Sequence, residues 1–250
     1  MKKFLKYALG GLVAVLLLAV AGFWYWAQSS VARPAPDAMA ALQSDERVVV
    51  EDGKYVVFSP AGAEPTTGLI LYPGAACDVR GYAPVLRRVA ERGYLVVGVP
   101  MPLNMAILAP DRADDVRAAF PEVRRWVIAG HSMGGAMAAH YAHGHPDDLA
   151  GVILWDAYPA EVNPLGDIRF PVWHIHRATA VGRAPEKLER MRHLFPVTST
   201  WVPVPGGIHM QFGSFLGGGY KEEWTATITV QEQHDVVVTG TLNALLAMTK

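Results

Sequence analysis

The chain has 250 residues, 51% of them hydrophobic and 18% charged, which is enough apolar material for one sizeable domain. With 22 basic against 23 acidic residues, and no basic block or acidic tail, its composition argues against a nucleic-acid partner. The lone cysteine, Cys77, excludes an intramolecular disulfide and a cysteine-based zinc site.

Lys2, Lys3 and Lys6 precede Tyr7–Ala27, a stretch without a charged residue that ends in Phe23, Trp24, Tyr25 and Trp26. About 20 apolar residues suffice to cross the hydrocarbon core as a helix. Flanking lysines favour a cytoplasmic N-terminus, and the aromatics suit the far interface. Residues 1–27 are therefore expected to form a membrane anchor, with the body of the chain on the exported side. The competing reading is a cleavable signal sequence ending at the small residues Ser30-Val31-Ala32, which would leave the protein secreted. Residues 28–45, with Pro34 and Pro36, read as a linker, and residues 46–250 as the globular domain.

Within that domain, Arg47–Val50 and Lys54–Phe58 flank Asp52-Gly53, a hairpin signal. Strands are then expected at Gly68–Tyr72, Tyr94–Val99, Trp126–Ala129, Gly151–Trp155, Pro171–His176 and Thr200–Val204. Helices are expected at Pro84–Arg92, Asp111–Phe120, Met133–Ala142, Pro185–Leu194 and Thr229–Met248, the last opened by the capping-box pattern Thr229-x-x-Glu232. The strands are continuous apolar runs, the mark of a parallel sheet covered on both faces. A hairpin followed by alternating strands and helices gives a doubly wound α/β sheet of about eight strands. Ligands in such sheets bind beyond the carboxyl ends of the strands.

Gly130-His131-Ser132-Met133-Gly134 follows one strand and opens a helix rich in glycine and alanine. That context is what a nucleophile elbow needs: a strained turn with small neighbours, lifting the serine hydroxyl above the sheet. Ser132 is the expected nucleophile. Backbone N–H groups of Met133 and of Ala75, in the loop Tyr72-Pro73-Gly74-Ala75, are the expected oxyanion donors. His209, after the strand Thr200–Val204 and the turn Gly206-Gly207, fits a base that comes late in the chain. The pairs His140/His143 and His174/His176 lack a carboxylate or cysteine at a metal-binding spacing, so neither metal nor cofactor is expected.

The segments GLILYPGAACDVRGYAPVLRRVAERGY, VPMPLNMAIL, VIAGHSMGGAMAAHYAHGHPDDLAGVILWDAYPA and PGGIHMQFG together resemble the α/β-hydrolase family 5 group, relatives of the dienelactone hydrolases. The resemblance runs from Gly68 to the C-terminus. It implies the α/β-hydrolase fold, Ser132 and His209 in a serine triad, the Pro73-Gly74 oxyanion loop, and hydrolysis of an ester-like bond. The family's usual acid falls in the turn after Pro171–His176, but here that turn reads Arg177-Ala178-Thr179-Ala180-Val181-Gly182, with Ala180 at the acid's place. Either the acid has moved to Asp156, at the end of the preceding strand, or the triad is broken and the chain is an impaired, membrane-tethered binding protein. Acyl transfer on the same triad is a further alternative. The substrate is expected to be a small neutral or apolar acyl compound, in a site with little fixed charge. Its expected lining is Asn104, Met105, Ile107, Tyr158, Gln211 and Phe212, with Gly213–Tyr220 as a mobile rim.

Overall fold

A computed structural model describes residues 2–249, except for the side chains of residues 2–5, 8, 23, 24 and 26–28. Helix α1 (Lys2–Ser29) is 28 residues long. Its side chains from Leu9 to Gly22 are all exposed, Leu18 by 73%. Phe23, Trp24 and Trp26 of the expected aromatic cluster lie outside the described side chains. Among the described residues no helix is long and apolar enough to cross a membrane, so the membrane helix expected at Tyr7–Ala27 is not supported.

The chain then forms β1 (Arg33–Pro34) and α2 (Pro36–Ala40), and next the hairpin β2 (Val48–Asp52) and β3 (Val56–Pro60). After it come β4 (Thr67–Tyr72), α3 (Ala83–Ala90), β5 (Leu95–Gly98), α4 (Arg112–Ala119), β6 (Arg125–His131) and α5 (Met133–Gly144). The chain closes with β7 (Gly151–Trp155), β8 (Val172–Ala178), α6 (Glu186–Arg190), β9 (Thr200–Pro205), β10 (Phe215–Leu216) and α7 (Val230–Met248). Eight strands form one sheet in the order β2-β3-β5-β4-β6-β7-β8-β9. Pairs β2–β3 and β3–β5 are antiparallel, and every pair from β5 to β9 is parallel. This is the α/β-hydrolase fold.

Alternation within each apolar run explains why helices cover both faces. Leu69 and Leu71 of β4 and Val127 and Ala129 of β6 pack with Val85, Leu86 and Val89 of α3 and Val237 and Leu245 of α7. Their neighbours Ile70, Tyr72, Trp126 and Ile128 pack with Val116 of α4 and Ala138, Ala139 and Tyr141 of α5. Thr229 caps α7 in a reciprocal box with Glu232, as its sequence predicts. The helix expected at Pro185–Leu194 is shorter: α6 stops at Arg190, and Arg192–Leu194 is a separate 3-10 turn.

Two expected loose segments are fastened to each other. β1 pairs antiparallel with β10, inside the stretch read as a mobile rim. Ala32 and Ala38, from the stretch read as a linker, are buried to 1% and 0% exposure. Ala32 donates to Ala76 O at 2.7 Å and accepts from Asp78 N–H at 3.0 Å, so it is stitched to the loop after β4. Ser214, beside β10, donates its hydroxyl to Asp37 of α2 at 2.5 Å. Alanines and prolines carry no readable period, which is why this docking is silent in the sequence.

Candidate active site

The carboxyl ends of β4, β6, β7, β8 and β9 bring the candidate residues together. Ser132 leaves β6 at φ 53°, ψ −123°, and α5 starts at the next residue. The left-handed backbone there is strained for any residue with a Cβ. It survives because its surroundings are glycines: a Cβ on Gly130 would stand 2.3 Å from Gly134 O, and one on Gly134 2.2 Å from Tyr72 O. Tyr72-Pro73 therefore lies directly against the start of α5. Among the described residues neither Ala75 N–H nor Met133 N–H has an acceptor within the chain.

Beneath this turn, His131 is fully buried. Tyr82 accepts Gly74 N–H at 3.0 Å, and its hydroxyl is hydrogen-bonded to His131 Nδ1 at 2.7 Å. Burial, and secondarily the nearby His209, push His131 well below the usual histidine range, so it stays neutral. Its ring lies 4.5 Å from that of His209 and stacks on Phe212 at 5.3 Å.

His209 follows β9 and is 5% exposed. Its Nδ1 is 2.5 Å from Asp156 Oδ2. Asp156 follows β7 directly at φ 46°, a second strained position, and its backbone N–H is held by Ile175 O at 2.7 Å. Burial alone would raise the Asp156 carboxyl. The hydrogen bond and charge of His209, followed by the charge of Arg177, more than offset this and hold it well below the usual carboxylate range. Arg177, near the end of β8, donates a guanidinium N–H to Asp156 Oδ2 and its backbone N–H to Asp156 Oδ1 at 3.2 Å. The same guanidinium nitrogen lies 3.2 Å from His209 Nδ1. The turn after β8 offers no carboxylate, and Ala180 is exposed there.

Above Ser132 opens a cavity of about 310 Å³, walled by Asp156, His209, Arg177, Tyr158, Lys187 and Tyr220 among others. Of the expected lining residues only Tyr158 reaches it. Asn104 instead accepts Ala76 N–H through its carbonyl at 2.9 Å and so braces the Gly74–Ala76 loop. Met105 and Gln211 stand outside the lining, Ile107 is exposed, and Phe212 is buried against His131 and Trp155. The expectation of little fixed charge fails as well, since Arg177, Lys187 and Glu223 all face the cavity. Sequence reasoning missed Arg177, Tyr220, Glu222 and Glu223. A lone arginine beside an apolar strand end, one strand from Asp156, was the available signal.

Other histidines are accounted for by packing. His174 and His176 stack at 5.0 Å, and His140 bonds to Asn163 at 2.9 Å. Among the described residues no three His, Cys, Asp or Glu side chains gather as metal ligands.

The sequence pattern of an alpha/beta hydrolase family matches residues 68–235. A protein of Mycobacterium phage D29 that carries the name of a non-heme haloperoxidase is 28% identical over 152 residues, 57% of this chain and 52% of that protein. The chain thus spans about half the length of the curated relative it matches. Among solved structures, a ferulic acid esterase from Streptomyces cinnamoneus superposes with a TM-score of 0.56 at 19% identity, covering 74% of this chain and 68% of that one. A soluble variant of the monoglyceride lipase of Saccharomyces cerevisiae gives 0.55 at 10% identity, covering 84% and 97%. At such identities the two structures bear on the fold alone. The family pattern extends over more than half the residues and spans β4, the Ser132 elbow, Asp156 and His209, and the chain belongs to the alpha/beta hydrolase family.

Proposed function

We propose that this hydrolase is a serine esterase that cleaves a carboxylic ester or lactone by way of an acyl-enzyme. The observation that carries the reading is the His209–Asp156 contact at 2.5 Å, in the same cavity as a serine on a strained elbow. In this mechanism Ser132 Oγ attacks the acyl carbonyl and His209 Nε2 takes its proton. Asp156 accepts Nδ1–H, fixes the tautomer and stabilises the imidazolium. The free N–H groups of Ala75 and Met133 receive the oxyanion, which their fixed dipoles stabilise at no cost in reorganisation. His209 then returns the proton to the departing alcohol, and water attacks the acyl-serine by the reverse route. Asp156 serves as acid because β7 and β8 are hydrogen-bonded neighbours, so a carboxylate at the end of either reaches the same imidazole.

No hydrogen bond joins Ser132 Oγ to His209 among the described residues, and such bonds commonly tighten only when substrate arrives. Labelling by a fluorophosphonate tests the proposal. The unaltered chain should label and Ser132→Ala and His209→Ala should not. A folded, unaltered chain that stays unlabelled would refute the esterase and acyl-transfer readings together and leave a binding protein.

We also propose that α1 holds the domain at a membrane on the exported side. The reading rests on the uncharged run Tyr7–Ala27 behind three lysines and on the exposed leucines of α1. Recovery of the chain from the membrane fraction only with detergent would support it, and a chain washed free by salt alone would refute it.

A further inference from the structure

The loop that carries His209 is made of soft backbone. It contains Gly206-Gly207, with Gly206 at φ 79°, and glycine leaves the chain the widest conformational range. The orientation of the imidazole also has an unusual weakness. Its partner oxygen, Asp156 Oδ2, is shared with Arg177, and the turn where the family keeps its acid has none. Asp156 fixes the tautomer, while the position of the ring depends also on how the loop backbone is held.

The backbone from Gly207 to Met210 is gripped by side chains from two other parts of the chain. Trp224 donates its indole N–H to Gly207 O at 2.9 Å. Gln233 of α7 accepts Ile208 N–H at 3.0 Å and donates to Ile208 O at 2.8 Å. Glu222 then takes two successive amides, one on each carboxylate oxygen: His209 N–H at 3.0 Å and Met210 N–H at 2.7 Å. Bonds to an ionised acceptor are about twice as strong as neutral ones, and this pair stands at the start of the 3-10 turn Met210–Phe212, where N–H groups lack partners. Its sequence neighbours reach the triad from other sides. Tyr220 stacks on the His209 ring at 4.2 Å, and Glu223 accepts from Arg177 at 2.9 Å.

We propose that Glu222 is a positioning residue for the reaction, holding the backbone of His209 so that the imidazole spans Asp156 and Ser132. The proposal rests on the esterase reading above. Glu222 touches no reacting atom; it acts through the two amides. A misplacement of about 1 Å in a catalytic group can cost about a hundredfold in rate, so Glu222→Gln should lower kcat by roughly ten- to a hundredfold with little change in KM. Glutamine keeps the size but turns an N–H₂ group toward one of the two amides.

The test compares Glu222→Gln, Glu222→Ala and Lys221→Ala with the unaltered chain on p-nitrophenyl acetate. It adds the low-field proton resonance of the His209–Asp156 bond and the urea unfolding midpoint. The expected result is a loss of kcat and a shifted or broadened imidazole proton in both Glu222 variants, at an unfolding midpoint close to that of the unaltered chain, with Lys221→Ala unaffected. Unchanged kcat in Glu222→Gln overturns the proposal. So does a loss of kcat in which the imidazole proton stays put and the unfolding midpoint falls, because that is a merely structural role. If the unaltered chain neither hydrolyses nor labels, the esterase reading fails, and the imidazole proton alone still decides whether Glu222 positions His209.

Discussion

Replacing Asp156 by asparagine removes the anion while keeping shape, and the surroundings of the residue set the size of the effect. In the unaltered chain Asp156 Oδ2 accepts from both His209 Nδ1 and Arg177. Without the carboxylate, the Arg177 guanidinium nitrogen, already 3.2 Å from His209 Nδ1, becomes the obvious donor to that nitrogen. Nδ1 is then an acceptor and the proton moves to Nε2, the tautomer that cannot take a proton from Ser132. Loss of the correct tautomer in a serine triad lowers kcat by about 10⁴, or about 5.4 kcal/mol at 1.36 kcal/mol per tenfold. The variant leaves Arg177 with Glu223 as its remaining anion, so the loss stays below the ~3–5 kcal/mol of a buried charge left wholly unpaired, which a domain of ordinary stability can survive. The assay is kcat/KM on p-nitrophenyl acetate, with circular dichroism to establish that the variant is folded. Activity within tenfold of the unaltered chain would remove Asp156 from the triad.

Stability should fall as pH drops below about 6.5, the ordinary histidine value. His174 is fully buried, neither of its ring nitrogens has a partner among the described residues, and burial, then the charge of His176, push it well below that range. Between the lowered native value and about 6.5 only the unfolded chain binds the proton, so each such histidine costs up to about 1.4 kcal/mol per pH unit as the pH falls. His131, His176 and His234 are shifted the same way, so thermal melts of His174→Phe should show a shallower acid decline, not a flat one. An unchanged slope would refute the assignment. Gly134→Ala should destabilise the fold by about 1–3 kcal/mol and abolish hydrolysis with Ser132 intact, since its Cβ would meet two backbone oxygens at 2.2 and 2.3 Å. Urea unfolding and the same ester assay check both parts, and a fully active variant would refute the packing argument.

The legible parts of this protein were those whose signal is local. The strand–turn–helix context of Ser132 needs its glycines within two residues, and the order of strands places His209 without knowledge of packing. Asp156 is legible only as one of two alternatives: the resemblance puts the acid where Ala180 stands, which leaves either a relocated carboxylate after the apolar strand or a broken triad. The cavity wall was not readable. Phe212 follows His209 closely and looks like lining, yet it is buried against His131, while Tyr220 reaches the site from a glycine-rich stretch with no period. Glu222 lies 13 residues beyond the histidine whose amide it holds, and nothing in Lys221-Glu222-Glu223 distinguishes a gripping carboxylate from a solvated one.

The stitching of Ala32 bears on when this chain could ever be cut. Ser30-Val31-Ala32 is the small-residue sequence after the apolar run that reads as a candidate site for a leader-removing protease. In the folded protein Ala32 is 1% exposed, with both its N–H and its C=O bonded to the loop that carries Ala75. A protease needs an extended, accessible strand, so cutting there would first require peeling β1 from β10 and from that loop. Cleavage after Ala32, if a protease were to make it, would therefore have to precede the docking of this segment.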